Sequence, residues 1–136
     1  MAKPTAEITL RWTEQLRFEG GAPGRPAILV DGDSTAATSP VQLLLLAAGT
    51  CAAADVVGIL QKQRVRLAAL EVTVRGARRE TEPRRYTDIA YHFTVRGEGA
   101  DETKARRAVG LSLEKYCSVA ASLAPDIHIT YDVTVA

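Results

Sequence analysis

The first hydrophobic pattern along the chain has a period of two. Ile8, Leu10 and Trp12 fall on one face of a first strand, and Leu16 and Phe18 suggest a second. Gly20, Gly21, Pro23 and Gly24 mark a turn. Residues 26–30 can then form a third strand that stops at Asp31-Gly32. Together these strands predict a small antiparallel sheet. The pattern then changes. Residues 41–60 carry a single charge, Asp55, in a long apolar run. Ser39 suits an N-cap, Pro40 suits the first helical position, and Gln42 completes a Ser-x-x-Gln capping box. A helix is therefore expected from about residue 39 to about residue 63, where Lys62, Arg64 and Arg66 favour its negative end.

Period two returns in Leu70, Val72 and Val74, and again in Ile89, Tyr91, Phe93 and Val95. A charged turn around Glu82-Pro83 joins these runs as a hairpin. Asp101 can cap a second helix with Ala105, Val109, Ser112, Leu113, Tyr116, Cys117 and Ala120 near one face. Pro125 is expected to end it. Ile127, Ile129, Tyr131, Val133 and Val135 make a last alternating strand. The order β-β-β-α-β-β-α-β predicts an α+β fold, expected as one domain over residues 1–136.

Composition narrows the function classes. The 46% hydrophobic content excludes wholesale disorder. A net charge of +1, with scattered basic residues, gives no general drive toward nucleic acid or anionic lipid. The apolar run at 41–60 is near the length of a membrane span. Asp55 would cost about 2.5–3.5 kcal/mol near a bilayer centre, and alanines contribute little insertion energy. The run is therefore read as a buried core helix. The N-terminus shows no apolar stretch of the signal-peptide kind, so a reducing cytoplasm is the expected setting. Gly20, Gly21 and Gly24 lack the Gly-Lys-Ser/Thr ending of a phosphate loop. His92 and His128 fall opposite the apolar faces of their strands and are expected to meet solvent. Two cysteines with two distant histidines do not match a zinc spacing. Neither a metal nor a cofactor is expected.

The chemistry then rests on two thiols, Cys51 and Cys117, on two different apolar helices. A fold that brings them together makes a redox pair, while a cysteine on an apolar helix can equally be a small buried hydrophobe. Cys51 has Ala47, Ala48, Ala54 and Asp55 one turn away, with Gly49 and Gly58 close by. Each helical glycine costs roughly 1 kcal/mol against alanine, so both are expected to mark close packing. Cys51 lies too deep in its helix to gain much from the positive N-terminal end. Asp55 opposes a thiolate there unless it is paired. An activating cation must then come from elsewhere, with Arg11, Arg17 and Arg25 as candidates and Glu114 placed to orient one of them.

The stretch Ser39-Pro40-Val41-Gln42-Leu43-Leu44, continued by Ala47-Ala48-Gly49-Thr50-Cys51, resembles the central-helix motif of the OsmC/Ohr superfamily, named for osmotically inducible protein C and organic hydroperoxide resistance. Residues 51–57 and 112–120 resemble the cysteine segments of an OsmC-like branch, and the similarity covers essentially the whole chain. The resemblance implies an intertwined homodimer with long central helices packed between sheets and an active site at the subunit interface. It implies a peroxidatic role for Cys51 and a resolving role for Cys117, with an organic or hydrogen peroxide as substrate and an external dithiol as reductant. Arg17 is the nearest match to the family's activating arginine. The chain departs from the family at Val41, where well-studied members carry the glutamate that holds that arginine. Glu114 or Asp55 is the expected replacement. A different class of function stays open on the same scaffold: a non-catalytic dimer that binds an apolar small molecule, or a redox sensor.

Overall fold

The structure, a computed structural model, describes residues 3–136. The chain forms two compact units, the first ending at Leu44 and the second running from Leu45 to Ala136. The first unit holds β1 (Thr9–Glu14), β2 (Arg17–Gly21) and β3 (Ile28–Asp31), antiparallel in the order β1-β2-β3. Its register stacks Trp12 beside Phe18 and Phe18 beside Val30, with Leu10, Gly20 and Ile28 in the next row. Alternation has therefore built one apolar face, as the pattern predicts. Trp12, Leu10 and Ile28 on that face remain 64%, 57% and 55% exposed.

The long helix α1 (Pro40–Lys62) starts in the first unit and continues into the second. Its capping box forms as expected. The Ser39 N–H donates to Gln42 Oε1 at 3.0 Å, and the Gln42 N–H donates to Ser39 Oγ at 3.3 Å. At its far end the chain turns through Arg64, whose φ is +63°. The Val65 and Arg64 N–H groups donate back to the carbonyls of Leu60 and Gln61. This is the Schellman arrangement, here with arginine where glycine usually sits.

In the second unit β4 (Arg66–Arg78) and β5 (Tyr86–Glu98) form the expected hairpin. The last strand, β6 (His128–Val135), pairs parallel to β5. A parallel neighbour requires a crossover, and residues between β5 and β6 supply it through helices. The central strand β5 turns Ile89, Tyr91, Phe93 and Val95 inward, all at most 2% exposed. His92 and His128 are exposed, as expected.

The crossover departs from the expected single helix. Asp101 caps α2 (Glu102–Leu111) by accepting the Lys104 N–H at 2.7 Å. From Ser112 to Tyr116 the helix widens into a π turn. Cys117 is extended (φ −72°, ψ 105°), and only then does the short helix α3 (Ser118–Ala121) follow. The helix thus breaks well before Pro125. A π turn inserts an extra residue and rotates everything after it, so a 3.6-residue face drawn through Tyr116, Cys117 and Ala120 does not persist.

Helix α1 passes by length and composition as a membrane-length helix. Yet Ala48, Gly49, Ala52, Val56 and Leu60 form a fully buried stripe at helical spacing, so it serves as a core helix. Its other faces are less covered, with Leu46 58% exposed. Gly49 lets the helix approach β4: a Cβ there would lie 2.7 Å from Cγ2 of Val74. Gly58 does not share this role, since nothing would lie within 4 Å of its Cβ. The two glycines should therefore respond oppositely to alanine. Gly49→Ala should lower stability by about 1–3 kcal/mol through overpacking against a stiff valine. Gly58→Ala should raise it by roughly 0.5–1 kcal/mol through helix propensity. Urea unfolding of both variants measures this, and shifts of the same sign would contradict the packing described.

Candidate active site

Helix α1 carries Cys51 half-buried, and the extended residue after the π turn carries Cys117, 3% exposed. Both thiols are free, and they lie close enough for Cys51 to act on the Cys117 thiol. The fold therefore brings together the two thiols that the sequence singles out. The joint is made by Ser112. Its buried hydroxyl donates to Asp55 Oδ2 at 2.8 Å, linking the π turn to α1 one helical turn beyond Cys51. The Ser112 carbonyl accepts the Cys117 N–H at 2.7 Å and closes the π turn. One residue thus fixes both where the turn docks and where Cys117 emerges.

Cys117 Sγ accepts the N–H of Ala120 at 3.4 Å, acting as the cap of α3. Burial nonetheless pushes its thiol pKa upward, the Ala120 N–H opposes this, and the Cys51 thiol adds to the rise. Cys117 is accordingly a protonated thiol at neutral pH. Cys51 has the greater access to solvent of the two.

Beneath the pair lies Tyr91, which sequence reasoning assigns only to the apolar face of its strand. It is 2% exposed and stacked on Phe93, with ring centroids 5.9 Å apart. Its hydroxyl is buried and finds no hydrogen-bond partner among the described residues. Burial raises the phenol pKa to about 12, and the charges of Cys117 and Cys51 push it the same way. A signal was available in the sequence. Tyrosine at an inward strand position must bring its hydroxyl to something polar, and an unpaired one costs about 1–3 kcal/mol.

Beside Asp55 a cleft of about 590 Å³ opens between α1 and α2 with the π turn, lined by Ile59, Lys62, Gln63, Arg107, Leu111 and Tyr116 among others. Neither cysteine lines it. Among the described residues no group of three or more His, Cys, Asp or Glu side chains could hold a metal ion.

The chain as a whole has parallels among known proteins. The model of the OsmC-like protein family matches residues 31–132. The chain belongs to the OsmC-like family. Protein YhfA of Escherichia coli K12 is 44% identical over 130 residues, covering 95% of this chain and 97% of YhfA. A hypothetical protein of Aquifex aeolicus has a solved structure with TM-score 0.86 at 29% identity, covering 98% of this chain and 99% of that one. An organic hydroperoxide resistance protein OsmC from Legionella pneumophila shares the fold at TM-score 0.69 and 14% identity, with 99% and 100% of the two chains covered.

Against the OsmC-like pattern, the supporting residues fall as follows. Arg17 is half-buried in the first unit. It pairs with Glu14 at 3.0 Å and lies 3.6 Å from Asp31 Oδ2, its register partner on β3. Arg11 and Arg25 are exposed. Asp55 is engaged by Ser112, and Glu114 is exposed on the π turn. Of the two carboxylates beside Arg17, the exposed Glu14 and the buried Asp31, the buried one is a residue that sequence reasoning treats only as a strand end. Its signal was the Asp-Gly-Asp-Ser run, which favours a side-chain-organised turn.

Asp31 is 1% exposed and accepts from the Ala36 N–H at 2.8 Å, from Thr35 Oγ1 at 3.0 Å and from the Asp33 N–H at 3.2 Å. The Ala36 N–H foremost, opposed by burial and helped by Asp33 and Thr35, holds its carboxyl well below the usual range. A depressed carboxyl contributes stability that is full above its unfolded pKa and is lost as pH falls through the folded one. The unfolded value is about 3.9, so the loss begins below about pH 4. Asp31→Asn should therefore melt lower than wild type at neutral pH, with the gap closing as the solution is acidified. Melting curves from neutral to strongly acid pH check this. A gap that stays constant would contradict it.

Proposed function

We propose that the chain is a thiol-dependent hydroperoxide reductase in which Cys51 is peroxidatic and Cys117 resolving. One observation carries the reading: two free thiols from separate segments lie close enough inside an OsmC-like fold for Cys51 to act on Cys117. The Cys51 thiolate attacks the terminal oxygen of a peroxide. The O–O bond breaks, the sulfur becomes a sulfenic acid, and an alcohol or water leaves with a proton. Cys117 then attacks the oxidised sulfur, giving a disulfide and water, and an external dithiol restores both thiols. The greater access of Cys51 and the buried, protonated state of Cys117 support this division of roles.

Arg17, steadied by Asp31 and Glu14, is taken as the activating cation on the strength of the family resemblance. Glu114 is the weaker candidate for support. The substrate class is an organic hydroperoxide, in keeping with the apolar residues 43–46 and 56–60 that flank Cys51 on its helix. The functional form is a homodimer in a reducing cytoplasm. Trp12, Leu10 and Ile28 on the first sheet and Leu46 on α1 are too exposed for a lone chain, and a second copy would cover them. A second reading, ligand binding without chemistry, draws on Val41 in place of the family's glutamate.

Peroxide consumption by the reduced protein, with dithiothreitol as reductant, separates the two. Cys51→Ser should fall to the rate of buffer alone. Cys117→Ser should still lose its one thiol, then pass to sulfinic acid as peroxide is raised. Thiols that persist for hours at millimolar peroxide in wild type would favour the binding reading.

A further inference from the structure

The Tyr91 hydroxyl has no part in the chemistry so far, yet it is a buried, unpartnered polar group on which both thiols act. Three independent features place it there. The hydroxyl is fully enclosed and has no partner among the described residues. Tyr91 sits opposite Val74 in the β4–β5 register, and Val74 is the side chain on which Gly49 of α1 rests, two residues before Cys51. Both thiols act electrostatically on its phenol, Cys117 more strongly than Cys51.

We propose that Tyr91 is the hydrogen-bond donor to the oxygen carried by oxidised Cys51, and that it assists the resolving step. The proposal rests on the peroxidase reading above. In that step the S–S bond forms as the S–O bond of the Cys51 sulfenic acid breaks. Cys117 sulfur is oxidised and Cys51 sulfur is reduced. The oxygen departs as water, taking its own hydrogen and the proton of the Cys117 thiol. Negative charge builds on that oxygen as the S–O bond lengthens, and a fixed donor aimed at it stabilises the charge without reorganising. A phenol that keeps its proton at all physiological pH values suits this task, since it can donate without adding a second negative charge beside two sulfurs.

The test is Tyr91→Phe, which keeps the ring, its stacking on Phe93 and its burial. The full-length reduced protein receives one equivalent of cumene hydroperoxide. Loss of the first thiol, sulfenic acid trapped by dimedone, and disulfide are followed in time by mass spectrometry. The expected result is an unchanged first step, a resolving step slowed by about a hundredfold, and sulfenic acid that accumulates and overoxidises. The melting temperature of reduced Tyr91→Phe should equal or exceed that of wild type, because an unpaired buried hydroxyl has been removed. Three results overturn the proposal. Resolution at the wild-type rate in Tyr91→Phe overturns it and leaves the peroxidase reading standing. Slowed resolution with a lowered melting temperature also overturns it, since that shows a structural hydroxyl. A wild-type protein that does not react at all overturns both readings.

Discussion

The hydrogen bond from Ser112 to Asp55 is the constraint on which the thiol pair depends. It joins an otherwise apolar helix to a π turn in a buried setting, where an unmet hydroxyl or carboxylate would be costly. The same serine accepts the Cys117 N–H through its carbonyl. A shift of the π turn by one residue would break both bonds and turn Cys117 away from α1.

Close packing supplies the second requirement. Alanine and glycine along α1 keep its axis near the sheet, and Gly49 tolerates the methyl of Val74 where any side chain would not. That proximity is why a helix residue and a residue after a distant turn can share one small space with a strand tyrosine. The space is finished except at the tyrosine hydroxyl. A fold that carries an unpaired buried donor beside two sulfurs bears a local cost, and costs of that kind gather where chemistry needs a group held ready.

Much of this was legible in the sequence because it follows from local rules. The capping box at Ser39 and Gln42, the cap at Asp101, the inward face of β5 and the hairpin at Glu82-Pro83 each involve residues a few positions apart. Features decided by long-range packing were not. Nothing in Ser112-Leu-Glu-Lys-Tyr116 distinguishes a π turn from continued α-helix, because the extra residue is accommodated by the bond to Asp55 on another element. Two helical glycines looked alike, and only the position of Val74 separates them. Asp31 read as the end of a strand, since its importance lies in the three residues that wrap back onto it and in the arginine across the register. The cysteine pair lay between these extremes. Each thiol was conspicuous alone, and family resemblance suggested a pairing, while the fold itself sets the two free thiols within reach of each other.

The central claim is that Cys51 and Cys117 of one chain form a working redox couple. It is tested most directly by mapping thiols after limited oxidation. Reduced wild-type protein is treated with one equivalent of cumene hydroperoxide, digested without reductant and analysed by mass spectrometry. The account predicts one dominant cross-linked peptide pair joining Cys51 to Cys117 within a single chain, abolished by dithiothreitol. Free thiols throughout, or cross-links found only between chains, would contradict it.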